Sequence, residues 1–140
     1  MNESPIYKSR EKHLPAISKY LVVIGILILI AAIHIFRIGS YLNGRAYQLY
    51  YSYASDLMLP FGIYFLLCLQ EKQFPFLKKW YTKAGLIFAA CTITEILQAF
   101  GIHLLGVTFD PADILMYGLG VLFAALVDRM VLSRLMKGWS

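Results

Sequence analysis

Charge is scarce in this chain. Only 15% of its 140 residues are charged, against about 25% in an ordinary soluble domain, so that class is excluded at the outset. Acidic side chains are the rarer kind, 8 Asp and Glu against 13 Lys and Arg. Cysteine is nearly missing: Cys68 and Cys91 are the 2 present, both inside apolar runs. Their spacing suits neither a metal site nor a disulfide framework, and they read as small packing residues. No Ser, Cys and His set of the kind that carries acyl transfer is evident, and neither H-x-x-x-H nor E-x-x-H occurs, so neither metal nor cofactor is expected. The chain also lacks repeats, low-complexity segments and an internal domain boundary.

Apolar sequence is what it has, at 59%. Long runs occupy Tyr20 to Ile38, Ala54 to Gln70, Ala84 to Leu105 and Pro111 to Leu132. Crossing about 30 Å of hydrocarbon takes roughly 20 helical residues, which all four approach, the second being the shortest. The sequence therefore predicts an all-α polytopic membrane protein, a four-transmembrane-helix bundle. A basic arm (1–19) precedes a transmembrane domain (20–132, spans 20–38, 54–70, 84–105 and 111–132), and a tail (133–140) follows. The first run follows basic residues as a secretory signal does, but no A-x-A pattern succeeds it, so it reads as an uncleaved anchor.

Basic residues set the orientation, because cytoplasmic segments collect Lys and Arg. Lys8, Arg10, Lys12 and Lys19 lie in the arm, Lys72, Lys78, Lys79 and Lys83 between spans two and three, and Arg129, Arg134 and Lys137 at the end. Only Arg37 and Arg45 fall on the opposite side. The reading is N-in, C-in, with Gly39 to Tyr53 and Gly106 to Asp110 outside. The net charge of +5 is then spread over three inner segments beside anionic lipid. The implied partner is the bilayer, and no nucleic acid is needed to explain the basicity.

Against this background Glu95 stands out, since a carboxylate near the bilayer centre costs about 2.5–3.5 kcal/mol on insertion scales and marks a functional site by default. Counting outward from Ala84 at about 1.5 Å per residue puts it roughly 16 Å deep, with Gln98 and His103 nearer the outer surface. Asp113 and Tyr117 begin span four, Asp56 begins span two, and His34 and Arg37 end span one, so polar side chains from all four helices share the outer half. Thr92, Glu95, Ala99 and His103 follow helical spacing, with Gln98 at the edge of that face. Asp113, Tyr117, Gly120 and Ala124 do the same in span four, where Gly120 and Ala124 form a small-xxx-small surface for close helix approach.

Each candidate has a plainer role beside the functional one. Glu95 and Gln98 can act as polar glue between helices. Asp110 before Pro111 has the form of an N-cap with proline at N1. Asp56 and Asp113 suit helix starts, the histidines suit an interface, and Arg37 and Arg45 suit snorkelling. The five tyrosines between Tyr41 and Tyr53 and the stretch Phe74 to Tyr81 fit aromatic interface anchors, and Asp128 with Arg129 fits a boundary charge cluster.

The run Glu95-x-x-Gln98, then Gly106-x-x-Phe109-x-x-x-Asp113-x-x-x-Tyr117-x-x-Gly120, resembles the signature of small bacterial four-span proteins of the VanZ-like group and of a neighbouring uncharacterised family. Glu95, Gln98, Asp113 and Gly120 match that signature, Tyr117 stands where VanZ-like proteins have asparagine, and their outer-loop arginine has no counterpart. The resemblance implies a multi-pass protein of the bacterial inner (plasma) membrane with a polar pocket open to the cell envelope. VanZ-like proteins are associated with altered glycopeptide susceptibility, without an established reaction.

Three functions fit these residues. The first is recognition of a lipid-linked or cell-wall-related amphiphile by Glu95, Gln98, Asp113 and Tyr117, with Asp56, His103, His34 and Arg37 around them. The second is an intramembrane enzyme using Glu95 or Asp113 as acid or base. The third is a small proton- or cation-coupled carrier working as a homo-oligomer, against which the lack of an inner polar pathway counts.

Overall fold

The computed structural model describes residues 5–102, 110–136 and 139, with side chains from residue 18 onward. Its regular structure among these is all helical: α1 (Pro5–Ile35), α2 (Arg45–Leu69), α3 (Trp80–Ala99), α4 (Pro111–Leu126), a π-helical turn (Val127–Leu132) and a terminal turn α5 (Ser133–Leu135). Among the described residues three segments are long and apolar enough to cross a membrane, Ser18–Ile35, Arg45–Lys72 and Pro111–Leu135. α3 is not among them, because it carries Lys83, Glu95 and Gln98.

Helix limits depart from the apolar runs wherever local backbone chemistry overrides hydropathy. α1 begins at Pro5, so the basic arm is largely helical. It stops before Ile38 because Arg37 takes a left-handed conformation, φ 48°, which a non-glycine residue seldom adopts. Four of the five tyrosines expected outside the second span, Tyr47, Tyr50, Tyr51 and Tyr53, lie in the first turns of α2, and Tyr41 in a short 3-10 turn before it (Ile38–Tyr41). Gly44, at φ 60°, makes the reversal, and nothing from Arg45 to Tyr53 breaks a helix. The Tyr47 and Tyr51 rings meet at a tilt of 47° with centroids 4.5 Å apart, and the Tyr50 ring occupies the space a side chain on Gly39 would need.

α3 ends at Ala99 rather than continuing to Leu105. Gly101 has φ 82°, its N–H bonds the Gln98 carbonyl at 2.9 Å, and the Ile102 N–H bonds the Leu97 carbonyl at 2.9 Å. Those paired bonds are the Schellman stop signal, for which glycine is the favoured residue. α4 starts as the sequence predicts: Asp110 is extended, its Oδ1 accepts from the Ala112 N–H at 2.9 Å, and Pro111 occupies the first turn.

Consecutive helices α3 and α4 run antiparallel, with Glu95 beside Tyr117 and Lys83 beside Asp128, whereas α2 and α4, which share the most extensive contact, run parallel, with Leu57 beside Gly120 and Tyr64 beside Asp128. Tyr64, Phe65 and Cys68 of α2 meet Ile87 and Cys91 of α3 and Tyr117, Val121, Ala124 and Ala125 of α4. Gly120 lets α4 press onto Leu57 and Pro60. Pro60 lies inside α2 and has no N–H, so the Asp56 carbonyl four residues back loses its helical donor. α1 covers this core from one side through Val23 and leaves Leu21, Ile24, Ile28 and Leu29 exposed, as suits a lipid-facing helix.

Candidate functional site

The buried face of α3 organises both ends of the bundle. It runs Lys83, Ala84, Ile87, Cys91, Glu95 and Gln98, turned from the expected face: Gln98, placed at an edge, is buried, and Ala99, placed on the face, is exposed. The spacing from Lys83 through Ile87 and Cys91 to Glu95 is four residues at each step, so a lysine and a glutamate occupy one stripe about 18 Å apart.

At the far end of α3, Glu95 is 1% exposed. Its Oε1 accepts from the Asp110 N–H at 2.8 Å and its Oε2 from the Tyr117 hydroxyl at 3.3 Å. Glu95 thus ties α3 to the start of α4. Asp56 of α2 stands beside the Tyr117 hydroxyl and within Coulombic reach of Glu95 and Asp110. Asp113 is within reach of Asp56, Glu95 and Asp110. Of the expected residues, Glu95, Asp56, Asp113 and Tyr117 therefore converge, and Gln98 is buried one turn beyond Glu95.

His34 and Arg37 do not join them. They line a separate cavity of about 120 Å³ with Tyr50, Tyr51 and Ser55, where His34 Nδ1 bonds the Ile30 carbonyl at 2.9 Å and Nε2 lies 3.4 Å from Ser55 Oγ. His103 lies outside the described residues, as do Gly106 and Phe109. Among the described residues no group of three His, Cys, Asp or Glu is placed to hold a metal ion.

The convergence has an electrostatic consequence. Tyr117 has one proton to donate and two carboxylates beside it. The ion pairs among the described residues all involve Lys19 or Lys83 at the other end of the bundle, so Asp56, Glu95 and Asp113 share a region in which no described basic side chain is paired to them. The Thr92 hydroxyl, one turn before Glu95, is also buried without a hydrogen-bond partner among the described residues. Such a region favours a cation or a group rich in hydrogen-bond donors.

The opposite end holds a buried ionic network that sequence reasoning missed. Lys83, 1% exposed, reaches Glu71 Oε1 at 2.5 Å, Asp128 Oδ2 at 3.2 Å and Cys68 Sγ at 3.2 Å. Lys19 meets Glu71 Oε2 and the Trp139 carbonyl, both at 2.6 Å. Asp128 also accepts from the Tyr64 hydroxyl at 2.8 Å and from Trp139 Nε1 at 2.5 Å. Asp128 is thus a buried hub rather than a boundary charge, and Cys68 touches a cation as well as packing. The π-helical turn Val127–Leu132 contains Asp128; wider turns of this type are frequent at functional positions. The signal available beforehand was Asp128 lying within an apolar run and Lys83 in register with Glu95.

Truncation of Glu95 measures its tie to α4. Glu95→Ala leaves the Asp110 N–H without its acceptor, while the Tyr117 hydroxyl keeps Asp56, and should destabilise by about 1–3 kcal/mol. Glu95→Gln keeps an acceptor for the N–H and should lie within about 1 kcal/mol of wild type. Thermal unfolding in detergent checks both, and equal midpoints for wild type and Glu95→Ala would remove the tie.

Comparison with protein-family models, curated proteins and solved structures yields no match to this chain.

Proposed function

We propose that the chain is a VanZ-like protein of the bacterial inner membrane, crossing it four times with both ends inside, and that its outward-facing acidic cluster holds the cationic or donor-rich head of an envelope amphiphile. α3 serves as the remaining span, with its charged side chains turned into the bundle and satisfied there. The inner basic segments support this orientation, because Lys19, Lys83 and Trp139 meet at one end. The observation that carries the reading is the meeting of Asp56 and Glu95 from two helices at the Tyr117 hydroxyl of a third, with Asp113 within Coulombic reach and no described basic side chain paired to any of them.

The test is native mass spectrometry of gently extracted protein incubated with a bacterial lipid extract, wild type beside Asp56→Asn/Asp113→Asn. Glu95 is left in place to keep the fold. A bound amphiphile with an amine or polyhydroxyl head, lost in the variant, is the expected result. Folded wild type that retains no such lipid, or a variant that retains it equally, would overturn the reading.

One observation favours the carrier as a second reading: the inner network supplies the polar groups whose absence counted against it. Ile87 and Cys91 separate the two ends of the α3 stripe, so flux would require that layer to open. Proton or cation flux in proteoliposomes, abolished by Glu95→Gln, would favour the carrier; no flux with either ion would dismiss it.

A further inference from the structure

We infer a second binding site, at the inner end of the bundle, for a phosphate-bearing anion. A cavity of about 400 Å³ opens there between the start of α3 and the π-helical turn. Its floor is the ionic network, and its mouth carries Lys78, Lys79 and Arg129, with Trp80, Tyr81 and Ser133 around them.

Charge accounting separates the floor from the mouth. On the floor, two lysines face two carboxylates: Lys19 and Lys83 on Glu71, and Lys83 on Asp128. That part of the cavity is compensated internally. Lys78, Lys79 and Arg129 take part in none of the ion pairs among the described residues, so the mouth has three cations to which no described carboxylate is paired. Lys79 Nζ lies 5.9 Å from the Tyr81 ring centroid.

The backbone adds to this field independently. α3, 20 residues long, starts at Trp80 in the cavity wall, and Lys79 at its N-cap supplies no side-chain acceptor. The Thr82 and Lys83 N–H groups bond the Lys79 carbonyl, so among the described residues the positive end of the helix dipole and the Trp80 and Tyr81 N–H groups meet no side-chain cap. An uncapped helix start flanked by lysine and arginine is the arrangement that binds phosphate oxygens. The cavity is large enough for a headgroup, since small-ligand pockets begin at about 300 Å³. Phosphate in this position would come either from a lipid headgroup, with Trp80 and Tyr81 at headgroup level, or from a soluble phosphate. This site does not depend on the role of the outer cluster.

The tryptophans of the chain, Trp80 and Trp139, border the cavity and its floor, so intrinsic fluorescence reports on it. Full-length protein in a zwitterionic detergent would be titrated with inorganic phosphate, with dihexanoyl phosphatidic acid, and with dihexanoyl phosphatidylcholine as a charge-balanced control. A saturable change with phosphatidic acid alone assigns the site to a lipid headgroup; one with inorganic phosphate as well assigns it to free phosphate. In either case Lys78→Gln/Lys79→Gln and, separately, Arg129→Gln should weaken binding about tenfold or more. These side chains are exposed, so unchanged helix content by circular dichroism is expected and is checked alongside. No saturable response to either phosphate probe, an equal response to phosphatidylcholine, or unaltered affinity in both folded variants overturns the inference.

Discussion

Lys83→Met is expected to destabilise the protein by about 3–5 kcal/mol, the scale of removing one partner from a buried ion pair. The lysine is almost fully enclosed, meets Glu71, Asp128 and Cys68, and lies 4.8 Å from the Tyr64 ring centroid. Its removal does not strand the carboxylates equally. Glu71 keeps Lys19, whereas Asp128 loses its only described cation and retains two neutral donors, Tyr64 and Trp139. The cost therefore falls mainly on Asp128, and Asp128→Asn added to Lys83→Met should recover more than half of it, since a neutral amide has a far smaller desolvation penalty. The buried thiols of Cys68 and Cys91 make the measurement direct: a thiol-reactive dye reports their exposure during thermal unfolding. A single variant as stable as wild type, or a double variant no better than the single, would show that the network does not hold the helix ends together.

Why this network escaped sequence reasoning while Glu95 did not is a matter of contrast. A carboxylate in the middle of an apolar run is anomalous on its own, and Asp113, Tyr117 and Gly120 share its half of the membrane by helical spacing alone. Lys19 and Lys83 flank the starts of runs and are explained singly by topology, and Asp128, inside the last turns of span four, is explained with Arg129 as a boundary charge cluster; only their meeting in space gives them another meaning. Tyr64 carried no signal at all, being one more aromatic in an apolar helix. The all-helical architecture, the N-cap at Asp110 and the inward faces at Tyr117, Gly120 and Ala124 follow from hydropathy and capping rules. The end of α3 and the start of α2 do not, because Gly101 and Gly44 act through backbone dihedral angles that hydropathy ignores. The turned face of α3 has the same origin: placing Glu95 inward left its neighbours on either side equally acceptable, and packing against α4 selected Cys91 and Gln98.

Gly120→Ala is the other substitution expected to have a large effect, and its sign is decided by competition. Alanine is favoured over glycine inside a helix by about 1 kcal/mol. At Gly120 the added Cβ would run into the Leu57 carbonyl oxygen and come within 2.8 Å of Pro60 Cγ, atoms of backbone and ring that cannot rotate aside. Relief requires α4 to back away from α2 along their most extensive contact, and overpacking of this kind costs about 1–3 kcal/mol or more. The clash should exceed the propensity gain. Gly118→Ala supplies the contrast, because its Cβ would meet only the Phe88 ring, at 3.4 Å, so propensity should prevail and the midpoint should hold or rise. The effect should also reach the acidic cluster: Tyr117 lies one turn from Gly120, and a displaced α4 carries its hydroxyl away from Asp56. Gly120→Ala should therefore unfold at lower temperature and, if the outer cluster holds an amphiphile, lose it, whereas Gly118→Ala should do neither. Equal stability of the two variants would mean that the approach of α4 to Leu57 and Pro60 is not what sets the geometry around Tyr117.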